Sequence, residues 1–174
     1  MRALAALLLL LFAAAGCTPT YGSTNRMGIL YGGADNLDIV SSPERVQAFR
    51  LRPPPADEPV PHYNQWPVVG SPVRVSRDIA SRFSNGLTRS SSFPRWEDPK
   101  TCEPRPGFML RFTADDRHVD VVFCFECKIL FTYRGSESIW YANFDGSTKS
   151  IASLFLQLFP NDPVLVRLAA QDDS

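Results

Sequence analysis

The chain is poor in the residues that most often carry chemistry. It has two histidines, His62 and His118, and they are isolated in sequence. An HExxH helix, a nucleophile elbow and a Gly-rich phosphate loop are all absent. The local signatures of zinc hydrolysis, α/β-hydrolase catalysis and nucleotide binding are therefore missing, and Ser, His and Asp occur, as in most chains, with no local support for a triad. Neither sign of charge is in excess, with 18 Lys and Arg against 18 Asp and Glu. Without a basic patch the chain lacks the electrostatic footprint of a nucleic-acid binder. No block of like charges marks a disordered interaction tail. No internal repeat indicates a solenoid. The longest apolar run, Ala3 to Ala15, falls short of the roughly 20 residues that an apolar helix needs to cross a bilayer. No catalytic residue, cofactor or metal is assigned on this pattern.

That short run has a different meaning. Arg2 supplies a positive start, the apolar stretch follows, and Ala14-Ala15-Gly16 leads into Cys17. The order resembles the bacterial lipoprotein signal, and departs from it at Ala14, where that signal prefers leucine. The resemblance implies cleavage before Cys17 and acylation of Cys17, palmitate included. It also implies a protein held to the membrane by its lipid, facing the periplasm or the cell exterior. Thr18 rather than aspartate after the cysteine favours the outer membrane. The expected organisation is a signal peptide over 1–16, a flexible tether over 17–36 rich in Gly, Ser, Thr and Asn, and one domain over 37–174. That domain is long enough to bury its own core.

Fifteen prolines predict long irregular connections. Arg45 to Leu51 reads as a strand, closed by Pro53-Pro54-Pro55. The loop over 52–61 is a stiff surface segment, with a PxxP ligand as its less economical reading. One or two extended pieces fit Val68 to Val75. Ser76 is placed to cap a helix whose face is Ile79, Phe83 and Leu87. From Gly107 the pattern alternates: Phe108, Leu110 and Phe112, then Val119, Val121 and Phe123, around the turn Ala114 to Arg117. Facing Ala114 with Arg117 pairs Phe108–Phe123, Leu110–Val121 and Phe112–Val119. On the opposite face the same register sets Arg111 against Asp120 as an exposed ion pair, which contributes about 0–1 kcal/mol. A one-residue slip destroys both matches. Ile129 to Tyr133 and Ile139 to Phe144 give two further strands around Gly135 to Ser138. Ile151, Leu154, Phe155, Leu158 and Phe159 mark an amphipathic helix stopped by Pro160. A short last helix over Val164 to Ala170 follows Asn161-Asp162-Pro163. The expected fold class is α+β: an antiparallel meander over about 107–144 packed against helices near 76–87 and 147–159.

"FMLRF" after a Pro-Gly, then "VDVVFCFECKIL", then a helix ending "LFPNDP", resembles a group of bacterial proteins with a cysteine-aromatic-x-cysteine motif. The motif here is Cys124-Phe125-Glu126-Cys127, with Cys102 shortly before the Pro-Gly. The likeness spans roughly residues 43–168. The group has no assigned activity, so the resemblance supports the architecture and implies no mechanism.

Leaving out Cys17, three cysteines remain, and three readings compete for them. A thiol-disulfide site needs a thiolate stabilised at a helix N-terminus, whereas Cys124 and Cys127 sit in strand-like sequence beside Glu126. A zinc site needs Cys102, Cys124, Cys127 and His118 together, and the hairpin sends His118 to the far end from Cys124. A structural disulfide with one buried free cysteine is the simplest reading for an exported chain. The hairpin register, extended past Pro106, sets Cys102 opposite Ile129 with Cys127 diagonal on the same face, and so favours Cys102–Cys127. Asp115 and Asp116 read as solvated turn residues. Trp140 reads as core. Trp66 and Trp96, in proline-rich loops, are the candidate contacts for a partner or ligand. The function expected is a lipid-anchored envelope protein acting as a non-catalytic binding or structural module. Its partners are the membrane, through the lipid, and an unknown envelope protein or small ligand, not nucleic acid. The alternative is a thiol-redox or zinc protein acting through Cys102, Cys124 and Cys127.

Overall fold

A computed structural model of the chain describes residues 23–52, 66–94 and 98–170. Cys17, the proline-rich loop and Trp96 lie outside the described residues. Strands β1 (Arg45–Leu51), β2 (Val68–Arg74), β3 (Phe108–Ala114), β4 (Arg117–Cys124), β5 (Ile129–Arg134) and β6 (Glu137–Asn143) form one antiparallel sheet in the order β2-β1-β3-β4-β5-β6. Helices α1 (Ser23–Tyr31), α2 (Ala34–Ser41), α3 (Arg77–Thr88), α4 (Thr148–Leu158) and α5 (Pro163–Ala170) complete the α+β fold. The meander β3 to β6 is the expected one. The two N-terminal strands extend the same sheet, with β1 pairing directly with β3.

The β3–β4 hairpin has the register that its side chains select. Phe108 faces Phe123, Leu110 faces Val121 and Phe112 faces Val119, all fully buried on the helix side. The β5–β6 turn is tighter than expected, because Arg134 pairs with Glu137 and leaves Gly135 and Ser136 between them. Gly135 takes φ 61°, a left-handed conformation that glycine reaches without steric cost.

The domain starts earlier than Leu37. Residues 23–36, read as part of a tether, belong to α1, its turn and the start of α2. Leu30 and Tyr31 are fully buried, and Met27 nearly so. The polar sequence around them conceals a short apolar face. Three hydrogen bonds seat it: Thr132 Oγ1 donates to the Leu30 carbonyl, the Tyr31 hydroxyl donates to the Leu87 carbonyl (2.9 Å), and Asn36 Nδ2 donates to the Tyr31 carbonyl (2.8 Å). Gly32 closes α1 with φ 68°, and a Cβ there would stand 2.7 Å from Ile139 Cγ2 on β6. Only glycine meets both demands.

The helices share one face of the sheet and one core. Ser76 caps α3, its Oγ accepting from the Ile79 N–H at 3.5 Å. On α4, Ile151, Leu154 and Phe155 are buried, while Leu158 is half-buried. Phe155 lies 5.1 Å, ring centre to ring centre, from each of Phe83, Phe108 and Phe123. Asp162 organises the C-terminus with both oxygens. Oδ1 accepts from the Val164 and Leu165 N–H groups (3.0 and 3.2 Å), and Oδ2 accepts from Arg50 Nε (2.7 Å). Arg50 also donates from Nη1 to the Leu51 and Gly107 carbonyls and lies over the Phe108 ring.

The opposite face carries Leu51, Trp66, Met109, Val122 and Tyr133. There Arg111 and Asp120 meet as expected, with a difference in environment. Asp120 is fully buried, and it accepts from Arg111 Nε and Nη2 at 2.7 Å each. Bonding to Asp120 strengthens the hold of Arg111 on its proton. The pair is therefore not the exposed contact that strand alternation suggests, because side chains from β1 roof it: the Phe49 ring lies under the Arg111 guanidinium.

Two expectations follow. Phe155→Ala removes the ring that contacts β3, β4 and α3, and lowers unfolding free energy by about 3–5 kcal/mol in urea denaturation. Arg111→Met removes the two-pronged partner of a buried carboxylate and costs about 3 kcal/mol, the lower end for a buried pair because Arg111 keeps water access. A loss below about 1 kcal/mol in either variant contradicts the packing described.

Candidate functional site

The cysteines converge at the end of the sheet where β4 turns into β5. Cys124 is the last residue of β4 and pairs with Ile129. Residues 125–128 form the turn, which Lys128 leaves at φ 55°. The irregular segment before β3 runs alongside. Lys100 pins it, donating from Nζ to the Cys127 carbonyl (2.9 Å) and to both oxygens of Asp145 (2.9 and 2.7 Å). Asn143 Nδ2 adds a bond to the Asp98 carbonyl at 2.7 Å.

Against this frame Cys102 and Cys127 form a disulfide, with Cα atoms 5.6 Å apart and a sequence separation of 25. The pair is the one the hairpin register favours, but the ladder does not deliver it. β3 starts at Phe108, and Cys124, not Cys102, lies opposite Ile129. Pro104 and Pro106 remove ladder donors, so the chain reaches Cys127 as an irregular crossing. Cys102 is exposed and Cys127 is buried.

Cys124 is the free thiol, and it is fully buried. Its Sγ accepts from the Arg105 N–H at 3.2 Å. Burial pushes the thiol pKa up, and the charge of Glu126 acts in the same sense. The N–H groups of Cys127, Arg105 and Glu126 oppose that rise only in part. A protonated, buried thiol is a poor nucleophile and a poor metal ligand. Among the described residues no three His, Cys, Asp or Glu side chains converge as a ligand set. His118 stands on β4 beside the β3–β4 turn, 4.0 Å from Asp120, at the opposite end of the strand from Cys124.

The tryptophans exchange roles. Trp66 is buried, 7% exposed, against Leu51, Met109, Val122 and Tyr133. It is a core residue and not a surface contact, because the entry to β2 folds over the second face of the sheet. Burial beside it pushes the Tyr133 phenol pKa up. Trp140, expected in the core, is 42% exposed on β6. It stacks with Tyr141 at 6.2 Å. Strand alternation fails to predict this because β6 is the sheet's edge, where burial depends on what lies beyond it. No protein-family model, curated protein or solved structure matches the chain.

The disulfide staples a segment with little regular structure to the sheet. Replacing both Cys102 and Cys127 by serine lowers stability by about 3 kcal/mol in denaturant titration, the scale expected for a loop of this length. In the native, unreduced chain Cys124 resists iodoacetamide and reacts only after unfolding. Mass spectrometry of the alkylated peptide checks this, and rapid labelling under native conditions contradicts the burial.

Proposed function

We propose that this protein is an envelope lipoprotein, anchored through Cys17, whose α+β domain is a non-catalytic binding module. The observation that carries the reading is the division of labour among the cysteines. Cys102 and Cys127 are spent on a disulfide, and Cys124 is sealed in the core. A disulfide suits an exported chain, because oxidising compartments preserve such bonds. Thiol exchange needs an accessible, low-pKa thiolate, and Cys124 has neither property. The thiol-redox and zinc readings therefore have less support than a stapled scaffold. The N-terminal pattern from Arg2 to Cys17 supports the anchor, and Thr18 after it supports the outer membrane as its site.

The test is processing and fractionation of the full chain in a bacterial host. The wild type is expected in the membrane fraction, shortened to begin at Cys17 and carrying acyl mass. Cys17→Ser is expected to remain unacylated and uncleaved at that position. A Cys17→Ser chain that is processed and fractionated like the wild type removes the anchor from this proposal.

A further inference from the structure

The large apolar side chains that stay exposed among the described residues are not spread evenly. Ile29, Trp140 and Tyr141 belong to α1 and β6, which pack against each other. Two contacts fix the helix there. Thr132 Oγ1 donates to the Leu30 carbonyl and accepts from the Trp140 N–H at 3.3 Å. Gly32 lies so close to Ile139 that no Cβ fits between them. Met27, Leu30 and Tyr31 turn into the core, with Tyr31 reaching toward α3, so helical spacing leaves Ile29 on the outer flank. The Trp140 and Tyr141 rings stack within 11° of parallel, and β6 has a neighbouring strand on one side only. Neither residues 27–34 nor residues 138–144 include a charged side chain. The other exposed apolar residues lack this setting. Val69 faces Arg50 across the ladder, β2 also carries Pro72, and Val166 precedes Arg167.

The position of this patch relative to the anchor selects its occupant. Helix α1 begins at Ser23, six residues after Cys17. A chain of that length spans at most about 21 Å when fully extended. Ile29 lies about 9 Å further along the helix. The far edge of the sheet, β2 with Val68 and Val69, is about 24 Å from β6. A lipid on Cys17 therefore holds the domain by its α1 end and keeps the α1–β6 side within reach of the bilayer. We propose that Ile29, Trp140 and Tyr141 seat the domain on the membrane interface. Tryptophan and tyrosine favour that depth, because the ring bodies bury against acyl chains while the indole N–H and the hydroxyl keep polar partners. The open strand edge limits the depth, since its unpaired backbone groups find water and headgroups at the interface and nothing in hydrocarbon. Three side chains bind a surface weakly by themselves. The short tether makes that sufficient by raising the effective concentration of the surface.

This docking rests on the anchor proposed above, and one preparation tests both. The full chain is purified from bacterial membranes and reconstituted into vesicles of phosphatidylethanolamine and phosphatidylglycerol, brominated on the acyl chains near the headgroup. Bromine quenches tryptophan fluorescence on contact. The wild type is expected to be quenched, and Trp140→Phe to lose that quenching with an unchanged melting temperature, which assigns the signal to Trp140 and not to Trp66 or Trp96. Ile29→Ser and Tyr141→Ser should each reduce the quenching, and Val69→Ser, at the far edge, should leave it as in the wild type. Intact mass of the same sample reads the anchor. A chain without acyl mass on Cys17 overturns the anchor, and the docking with it. An acylated chain whose Trp140 is not quenched overturns the docking alone. Trp140 emission that is shifted to the blue but insensitive to bromine means that a protein surface, such as a second copy, covers the patch, and it overturns the docking too.

Discussion

Phe155 is the point on which the two layers of this domain are joined. Its ring meets Phe108 and Phe123 from the hairpin, Phe83 from α3, and Phe125 and Phe159 at the rim. These residues come from four separate stretches of chain. Their arrangement depends on the β3–β4 register, since a one-residue shift sends Phe108 and Phe123 to the other face. It depends equally on α4, whose i, i+3, i+4 spacing presents Ile151, Leu154 and Phe155 together. Edge-to-face contacts of this kind add a modest gain to the area they bury. Their greater effect is geometric, because a close-packed aromatic centre permits only one seating of helix on sheet.

The opposite face of the sheet is organised by polar contacts and a covalent bond. Asp120 is removed from water and bound at both oxygens by Arg111. Such a pair adds little net stability when its desolvation is counted, but it tolerates no other register. At the neighbouring sheet end the Cys102–Cys127 bond and Lys100 hold a proline-rich segment that has no ladder of its own. The cysteine-aromatic-x-cysteine motif thus has two structural tasks. One sulfur ties down a loop, and the other fills the sheet beside Arg105. The aromatic between them, Phe125, enters the Phe155 cluster.

Local periodicity determined the hairpin, the strand over 45–51, the Ser76 cap and the α4 face. Each needs only neighbours within one or two elements, so period and turn chemistry suffice. The preferred disulfide is the one observed, but an irregular crossing and not strand alternation brings Cys102 to Cys127. The helix α1 was not legible, because Met27, Leu30 and Tyr31 are few apolar residues in a polar stretch, and they become a core face only when β5, β6 and α3 are there to receive them. The exchange between Trp66 and Trp140 has the same origin. Whether a tryptophan is covered depends on which strand is the edge and which segment crosses the second face. Sequence by itself determined the meander, the hairpin register and the faces of α3 and α4. Only the tertiary structure decided which groups are left without partners, because being unpaired is a property of everything that surrounds a side chain and not of the chain beside it.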